Sequence, residues 1–455
     1  MKTFSNVAFV LAAVGLAACS SSSSPRSGTD PIEIDIVSSE QQRDMSPQLS
    51  DAEQATLTAG QANFAVDIYH AVRSQPESAD QNIFLSPHSV STALAMTYAG
   101  ARGDTATEMK TALRVGLPDD RIHTAFDYLD LALANRGKNA EGQDGKPFRL
   151  IVTNSLWGQK GPSFETPFLD TLAVNYGAGL NIVDFFAQTE RSRTTINGWV
   201  EERTEKRIKD ILPKGAVDDR TRLVLVNAVY FNAAWAAKFE PSKTAPAPFT
   251  KADGSVVQVS MMNRPASRRY AKGDGYEAIE MAYDHGRSSR YAHLYEDVEM
   301  ALDNSELAML VILPTAGTFA NFESSLTGGK LLDILAGLET KPVNLSFPKL
   351  RLDVAFGLKE PLKSLGMNQA FSEEAADFSG MSTTERLSVA NVLHKTFLEV
   401  DESGSEAAAA TGVFNVAQSG SAPIEMKVDR PFITAIVDRP TKTLLFLGRI
   451  LEPKL

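Results

Sequence analysis

Apolar positions along this chain follow two different rhythms. Phe64, Ile68 and Val72 recur at helical spacing, and Ile122, Phe126, Leu129 and Leu133 form a second stripe of the same kind. Thr105 to Glu108 reads TATE, the spacing of a capping box, and predicts a helix start there. Later the rhythm changes. Leu223 to Phe231 and Ala308 to Leu313 are near-continuous apolar runs, as expected of central strands covered on both faces. Phe432 to Val437 and Thr443 to Ile450 are two more, joined by the turn-like DRPTK. Helices gathered early and strands late predict an α+β body. No Pro/Gly/Ser-rich linker divides the chain beyond residue 55, so residues 51–455 are expected to form one domain although the length would allow about three.

Propensity and neighbourhood disagree over residues 401–417, DESGSEAAAATGVFNVA. Ser405 to Ala410 read alone would be a short helix, since Ala favours helices and disfavours strands. Yet Lys395 to Val400 alternates as a strand, with Thr396, Leu398 and Val400 on one face, and it runs straight into the alanines. A segment that serves both as an exposed loop and as a strand buried in a sheet resolves the conflict. Small residues suit both states, and Ala407, Ala409, Thr411 and Val413, which alternate with Ser405, carry no charge to desolvate.

The string HKTFLEVDESGSEAAAATG, His394 to Gly412, resembles the proximal hinge of the serpin family. NIFLSPHSVSTALAMTYAGARGDTATEM (Asn82 to Met109), LVLVNAVYFNAAW (Leu223 to Trp235), DRPF (Asp429 to Phe432) and FLGRILEP (Phe446 to Pro453) resemble further blocks of that family, in its order. The resemblance implies a serpin fold of three β-sheets and about nine helices, with a reactive loop near the carboxyl terminus. It also implies a suicide inhibitor: a serine or cysteine protease cuts the loop, and the hinge inserts as a strand before the acyl-enzyme is hydrolysed.

Carried over residue by residue, the hinge is Glu402, Gly404 and Ser405 followed by Ala407, Ala408, Ala409, Ala410 and Thr411. Ser86, Ser89, Asn227 and His394 match a hydrogen-bonded cluster beneath the opening sheet, and Trp235 matches a position where insertion begins. The family's loop length places the reactive bond at Gln418-Ser419, with Ala417 and Ser419 as neighbouring alternatives for the cleaved residue. Three features depart from the family. Lys206 stands where Gly is usual, His285 to Asn304 resembles an insertion, and Gln418 to Pro431 is about two residues longer than common.

The first 18 residues form a secretory signal pattern, and LAAC, Leu16 to Cys19, resembles a lipobox. Cys19 is the only cysteine in 455 residues, so it stands where a lipid anchor requires one. Residues 19–50, Ser-rich and then acidic, read as a flexible tether. The expected location is the bacterial cell envelope, with the protein lipid-anchored at the outer membrane or cell surface.

Net charge is −11, and the densest basic run, Glu201 to Asp210, is interleaved with acids, which argues against nucleic acid as a partner. No G-x-S-x-G, H-E-x-x-H, C-x-x-C or P-loop occurs, and Gly273, Gly275 and Ala278 reach only a dinucleotide-type spacing in a loop context. His285 and His293 share a polar segment without further metal ligands. No catalytic residue, metal or cofactor is assigned, and a monomer is expected. Because Ser403 to Met426 contains no Lys or Arg, an elastase-like or subtilisin-like protease is the expected target. A non-inhibitory serpin and a surface lipoprotein that binds a partner stay open as alternatives.

Overall fold

The computed structural model describes residues 34–284, 305–405 and 422–455, and no described helix is long and apolar enough to cross a membrane. Strands β1 (Asp35–Val37), β2 (Ile83–Leu85), β3 (Arg149–Gln159), β4 (Leu180–Val183) and β5 (Leu223–Ala234) come first, followed by β6 (Ala245–Thr250), β7 (Val256–Gly273) and β8 (Tyr276–Ala282). The later strands are β9 (Leu307–Pro314), β10 (Glu339–Pro348), β11 (Leu350–Gly357), β12 (Val389–Val400), β13 (Gly404–Ser405), β14 (Ile424–Lys427), β15 (Phe432–Asp438) and β16 (Thr443–Ile450).

These strands form two hydrogen-bonded sheets. One runs β1-β4-β3-β5-β12-β11, with β13 added on β5, and the other runs β14-β10-β7-β8-β9-β15-β16-β2, with β6 on β7. Three sheets were expected, and the reason for two is the length of β7. It pairs with β6 over Val256–Met261, with β10 over Met261–Tyr270 and with β8 over Tyr270–Gly273, so one 18-residue strand joins what would otherwise be separate ladders.

Nine helices lie among the described residues. They are α1 (Asp51–Arg73), α2 (Pro87–Tyr98), α3 (Gly103–Ala112), α4 (Asp119–Ala134), α5 (Thr166–Tyr176), α6 (Phe185–Arg203), α7 (Phe319–Ser324), α8 (Gly328–Ala336) and α9 (Lys359–Ser364). Helix α2 is buried along its whole length, which suits its run of Val, Ala, Leu and Ser and its Pro87 start behind the Ser86 cap. The predicted stripe of α1 and Ile122, Phe126 and Leu129 of α4 face the same core, while Leu133 joins the cluster between the sheets. Alternation along β5 serves two cores. Val229, Phe231 and Ala233 pack between the sheets, whereas Val224, Val226, Ala228 and Tyr230 pack on the other side with Phe185, Ile196 and Val200 of α6.

Two local expectations are corrected. Helix α3 begins at Gly103, not at a TATE capping box: the Thr105 hydroxyl accepts from Asp377 N–H, and Glu108 accepts from the amides of Asn368 and Gln369, so tertiary contacts claim both side chains. The tether was expected to reach residue 50, yet residues 34–50 lie on the domain. Strand β1 pairs with β4, Leu49 is buried, and Arg43 bonds to both Asp127 and Asp130 of α4. A polar, unperiodic stretch hides such an attachment because Ile34, Val37 and Leu49, which reach apolar clusters, are too widely spaced to read as a stripe, and the other contacts are to carboxylates and backbone.

Candidate functional site

At the centre of the first sheet, β5 and β12 run parallel, paired from Val389↔Leu223 to Phe397↔Tyr230. Parallel neighbours are unusual between antiparallel partners, and here they form a seam. Above Tyr230 the two strands part: β12 continues beside β11 to Val400, and β5 continues to Ala234. Into that opening steps β13, antiparallel to β5, with Gly404 opposite Ala234 and Ser405 opposite Ala233.

The mouth of the seam is held by a clasp built on Asp401 and Glu402. Trp235 donates from its indole to Asp401 O at 2.9 Å and from its backbone to Ser403 O at 2.9 Å, while Phe239 N–H donates to Glu402 O at 2.8 Å. Trp235 itself is buried and stacks on Tyr283, with ring centroids 4.6 Å apart. The Glu402 carboxylate accepts from Thr244 Oγ1 at 2.7 Å and pairs with Lys349 Nζ at 2.6 Å. Burial alone would raise this carboxyl, but Lys349 and Thr244 outweigh it and hold it below its usual range. Burial pushes the neighbouring Asp401 the other way, helped by the charge of Glu402. Gly404 has φ +152°, and a Cβ there would meet Ala233 O at 2.1 Å, so only glycine allows this close approach to β5.

Lower in the seam stands a polar chain with no charge. Ser86 N–H donates to His394 Nε2 at 2.9 Å, so the His394 proton sits on Nδ1 and is donated to Asn227 Oδ1. The Asn227 amide donates in turn to Ser89 Oγ and Asn154 Oδ1, and Ser89 Oγ donates to Asn154 Oδ1 at 2.7 Å. Asn154, Asn227 and His394 are register neighbours on β3, β5 and β12, so a single chain of hydrogen bonds crosses three strands above the start of α2. Burial drives the imidazole down to about 3, and it is therefore neutral at physiological pH.

The sequence reading placed Ser86, Ser89, Asn227 and His394 together, and the structure brings them into contact. It missed Asn154, Lys349 and Thr244, whose roles depend on register between segments distant in the chain. Trp235, Glu402 and Gly404 lie at the mouth as expected, together with the backbone of Ser405. Ala407, Ala408, Ala409, Ala410, Thr411, Gln418, Ser419 and Cys19 fall outside the described residues, as does the expected insertion. Lys206 has φ +64°, a left-handed conformation that glycine adopts more readily than lysine, so the position the resemblance marks as glycine is a strained one here. Gly273 and Gly275 form the hairpin between β7 and β8, not a nucleotide loop. No group of metal-ligating side chains occurs among the described residues.

The first sheet thus has a parallel seam, hydrogen-bonded through His394 and Asn227 in its middle and entered by a short antiparallel strand at its mouth. A family model described as Serpin (serine protease inhibitor) matches residues 59–453. The chain is 37 % identical to an uncharacterised serpin-like protein of Thermococcus kodakarensis over 86 % of its own length and 84 % of that protein's. It is 34 % identical to the leukocyte elastase inhibitor of Bos taurus, covering 87 % and 99 %. The crystal structure of tengpin, a thermophilic serpin in the native state, superposes with a TM-score of 0.76 at 26 % identity, covering 92 % of this chain and all of that one. This chain is a member of the serpin family.

Proposed function

We propose that this protein is a suicide inhibitor of serine proteases, and of cysteine proteases with the same acyl-enzyme chemistry, held at the bacterial cell surface by a lipid on Cys19. The observation that carries the reading is the two-residue β13 ladder at the mouth of the seam. Continued downward, its register puts Ala407 opposite Phe231, Ala409 opposite Val229, Thr411 opposite Asn227 and Val413 opposite Leu225. Opposed residues of an antiparallel pair share a face. Every inward position is therefore small or apolar and uncharged, while Glu406 and Phe414 would turn to the α6 side. Thr411 would arrive between Asn227 and His394, the pair whose hydrogen bond insertion must break, and its hydroxyl can serve both.

In this mechanism the protease nucleophile attacks the carbonyl carbon at Gln418, the bond to Ser419 breaks, and the new amine departs with a proton from the protease's general acid. Insertion then carries the acylated Gln418 down the sheet before water can cleave the ester. With no Lys or Arg between Ser403 and Met426, the partner is an elastase-like or subtilisin-like enzyme, in keeping with the likeness to leukocyte elastase inhibitors. The test is to mix the protein with neutrophil elastase, subtilisin, trypsin and papain. A complex that survives boiling in SDS with elastase or subtilisin, its bond mapped to Gln418, is expected. Cleavage by every enzyme without such a complex would leave a non-inhibitory serpin. Replacing Cys19 by Ala should release the protein from membranes, and a variant that remains bound would place the anchor elsewhere.

A further inference from the structure

The carboxyl end of α2, the first turns of α3 and the amino end of α4 enclose a cleft of about 520 Å³, apart from the seam and unused by the proposed mechanism. Tyr98, Arg102, Thr107, Lys110, Asp119 and His123 supply its chemistry, and alanine methyls from α2 and α3 complete its walls. Asp119, its acid, is already engaged: one carboxylate oxygen accepts from both Lys110 Nζ and the Tyr98 hydroxyl. Its donors are not all engaged. Arg102 gives Nη1 to Ala99 O and Ala101 O, at 3.1 and 2.7 Å, and has no carboxylate partner among the described residues.

His123 is the second unfilled donor. Its Nδ1 lies 2.8 Å from the Tyr176 hydroxyl, which has no other acceptor among the described residues, so the phenol donates and the imidazole proton resides on Nε2. That N–H has no hydrogen-bond partner among the described residues, and His123 is one of the residues that line the cleft. Burial pushes His123 down to about 4, so it stays a neutral donor. The lining thus combines a guanidinium that makes no direct ion pair among the described residues, with the Asp377 carboxylate nearby, a neutral N–H, the Thr107 hydroxyl and an apolar wall with the Tyr98 ring. A cavity of this size suits a small molecule.

We propose that this cleft binds a small organic anion, its carboxylate or phosphate head on Arg102 and His123 and its apolar body against Tyr98. Titration calorimetry on the detergent-solubilised full chain tests this with phenylacetate, phenyl phosphate, inorganic phosphate and benzylamine. One saturable site is expected for phenylacetate or phenyl phosphate, and whichever binds more tightly identifies the head group. Benzylamine should not bind. Arg102→Gln, at an exposed side chain, and His123→Phe should each weaken binding about tenfold or more, with melting curves reporting on folding. Absence of binding by both aromatic anions, equal binding of benzylamine, or parent-like affinity in Arg102→Gln would overturn the proposal. Inorganic phosphate binding as tightly as phenyl phosphate would overturn the part assigned to the apolar body.

Discussion

The mouth and the middle of the β5–β12 seam are held by different physics. At the mouth, a charged pair, Glu402 with Lys349, and an indole fix the backbone of residues 401–403, while β5 and β12 are already apart. In the middle, His394, Asn227 and Asn154 join three strands through neutral hydrogen bonds, with His394 and Asn227 fully buried and Asn154 partly so. The Lys349 side chain of the mouth's pair keeps 24 % of its surface open to water, whereas the Asn227–His394 bond is fully buried and has no substitute if it is pulled open. In the proposed mechanism the mouth would decide whether a strand can enter, and the middle would set how firmly the sheet stays shut until it does.

Five substitutions sharpen or break this contrast. The largest effect is expected from Ser405→Arg, which asks the first inserting residue to bury an unpaired cation. That costs several kcal/mol, and even part of it in the insertion barrier would slow insertion by a few orders of magnitude, at about 1.4 kcal/mol per tenfold. Normal loop cleavage with loss of the SDS-stable complex is the expected readout, and trapping as efficient as the parent's would show that insertion does not begin at the mouth.

Asn227→Ala attacks the middle. It leaves His394 Nδ1, Ser89 and Asn154 short of partners in a buried site, a loss of about 4 kcal/mol in denaturant unfolding. The same chain makes a pH signature. His394 is neutral in the fold, where burial holds it at about 3, but the unfolded chain takes up its proton near pH 6.5, so between these values the unfolded state binds more protons and acid removes stability. From pH 7 to 5.5 the parent should lose about 1 kcal/mol more than His394→Asn. Equal slopes would mean that the imidazole is not held neutral.

Arg43→Gln serves as a control away from the seam. Asp127 is fully buried, and burial pushes its carboxyl up to about 6 even beside Arg43. Without the guanidinium, a loss of about 3 kcal/mol is expected at pH 8, shrinking at pH 5 where protonation relieves the carboxylate. Inhibition should persist, and a matching loss of trapping would tie this edge of the sheet to the seam. The smallest change, a gain of about 1 kcal/mol, is expected from Lys206→Gly, since a left-handed residue costs about that much unless it is glycine. A loss instead would mean that the Lys206 side chain outweighs its strain.

Much of this architecture was legible in the chain, and the exceptions share a cause. Strand β16 matched residue for residue, because a long apolar run between turn signals has few other readings. The proposed hinge stood out in the sequence because its alanines contradict the strand before them, but Ala407 to Ala410 lie outside the described residues. Lys349, Thr244 and Asn154 gave no signal, since a lysine that neutralises a buried glutamate looks like any other lysine until the register is known. The α3 start was misplaced for the same reason, with Thr105 and Glu108 serving neighbours instead of their own helix. Strand β1 was hidden because three residues carry too little periodicity to be read.

That short strand gives the domain a defined load path. A pull on the chain ahead of Ile34 enters at the outer edge of the sheet, where only three residue pairs bind β1 to β4. Behind them, the Arg43 clamp on α4 takes the strain, and β4 and β3 still separate it from β5. Tension from that end would peel β1 away before it reached the seam, so the first sheet carries a mechanical fuse on the side opposite β11.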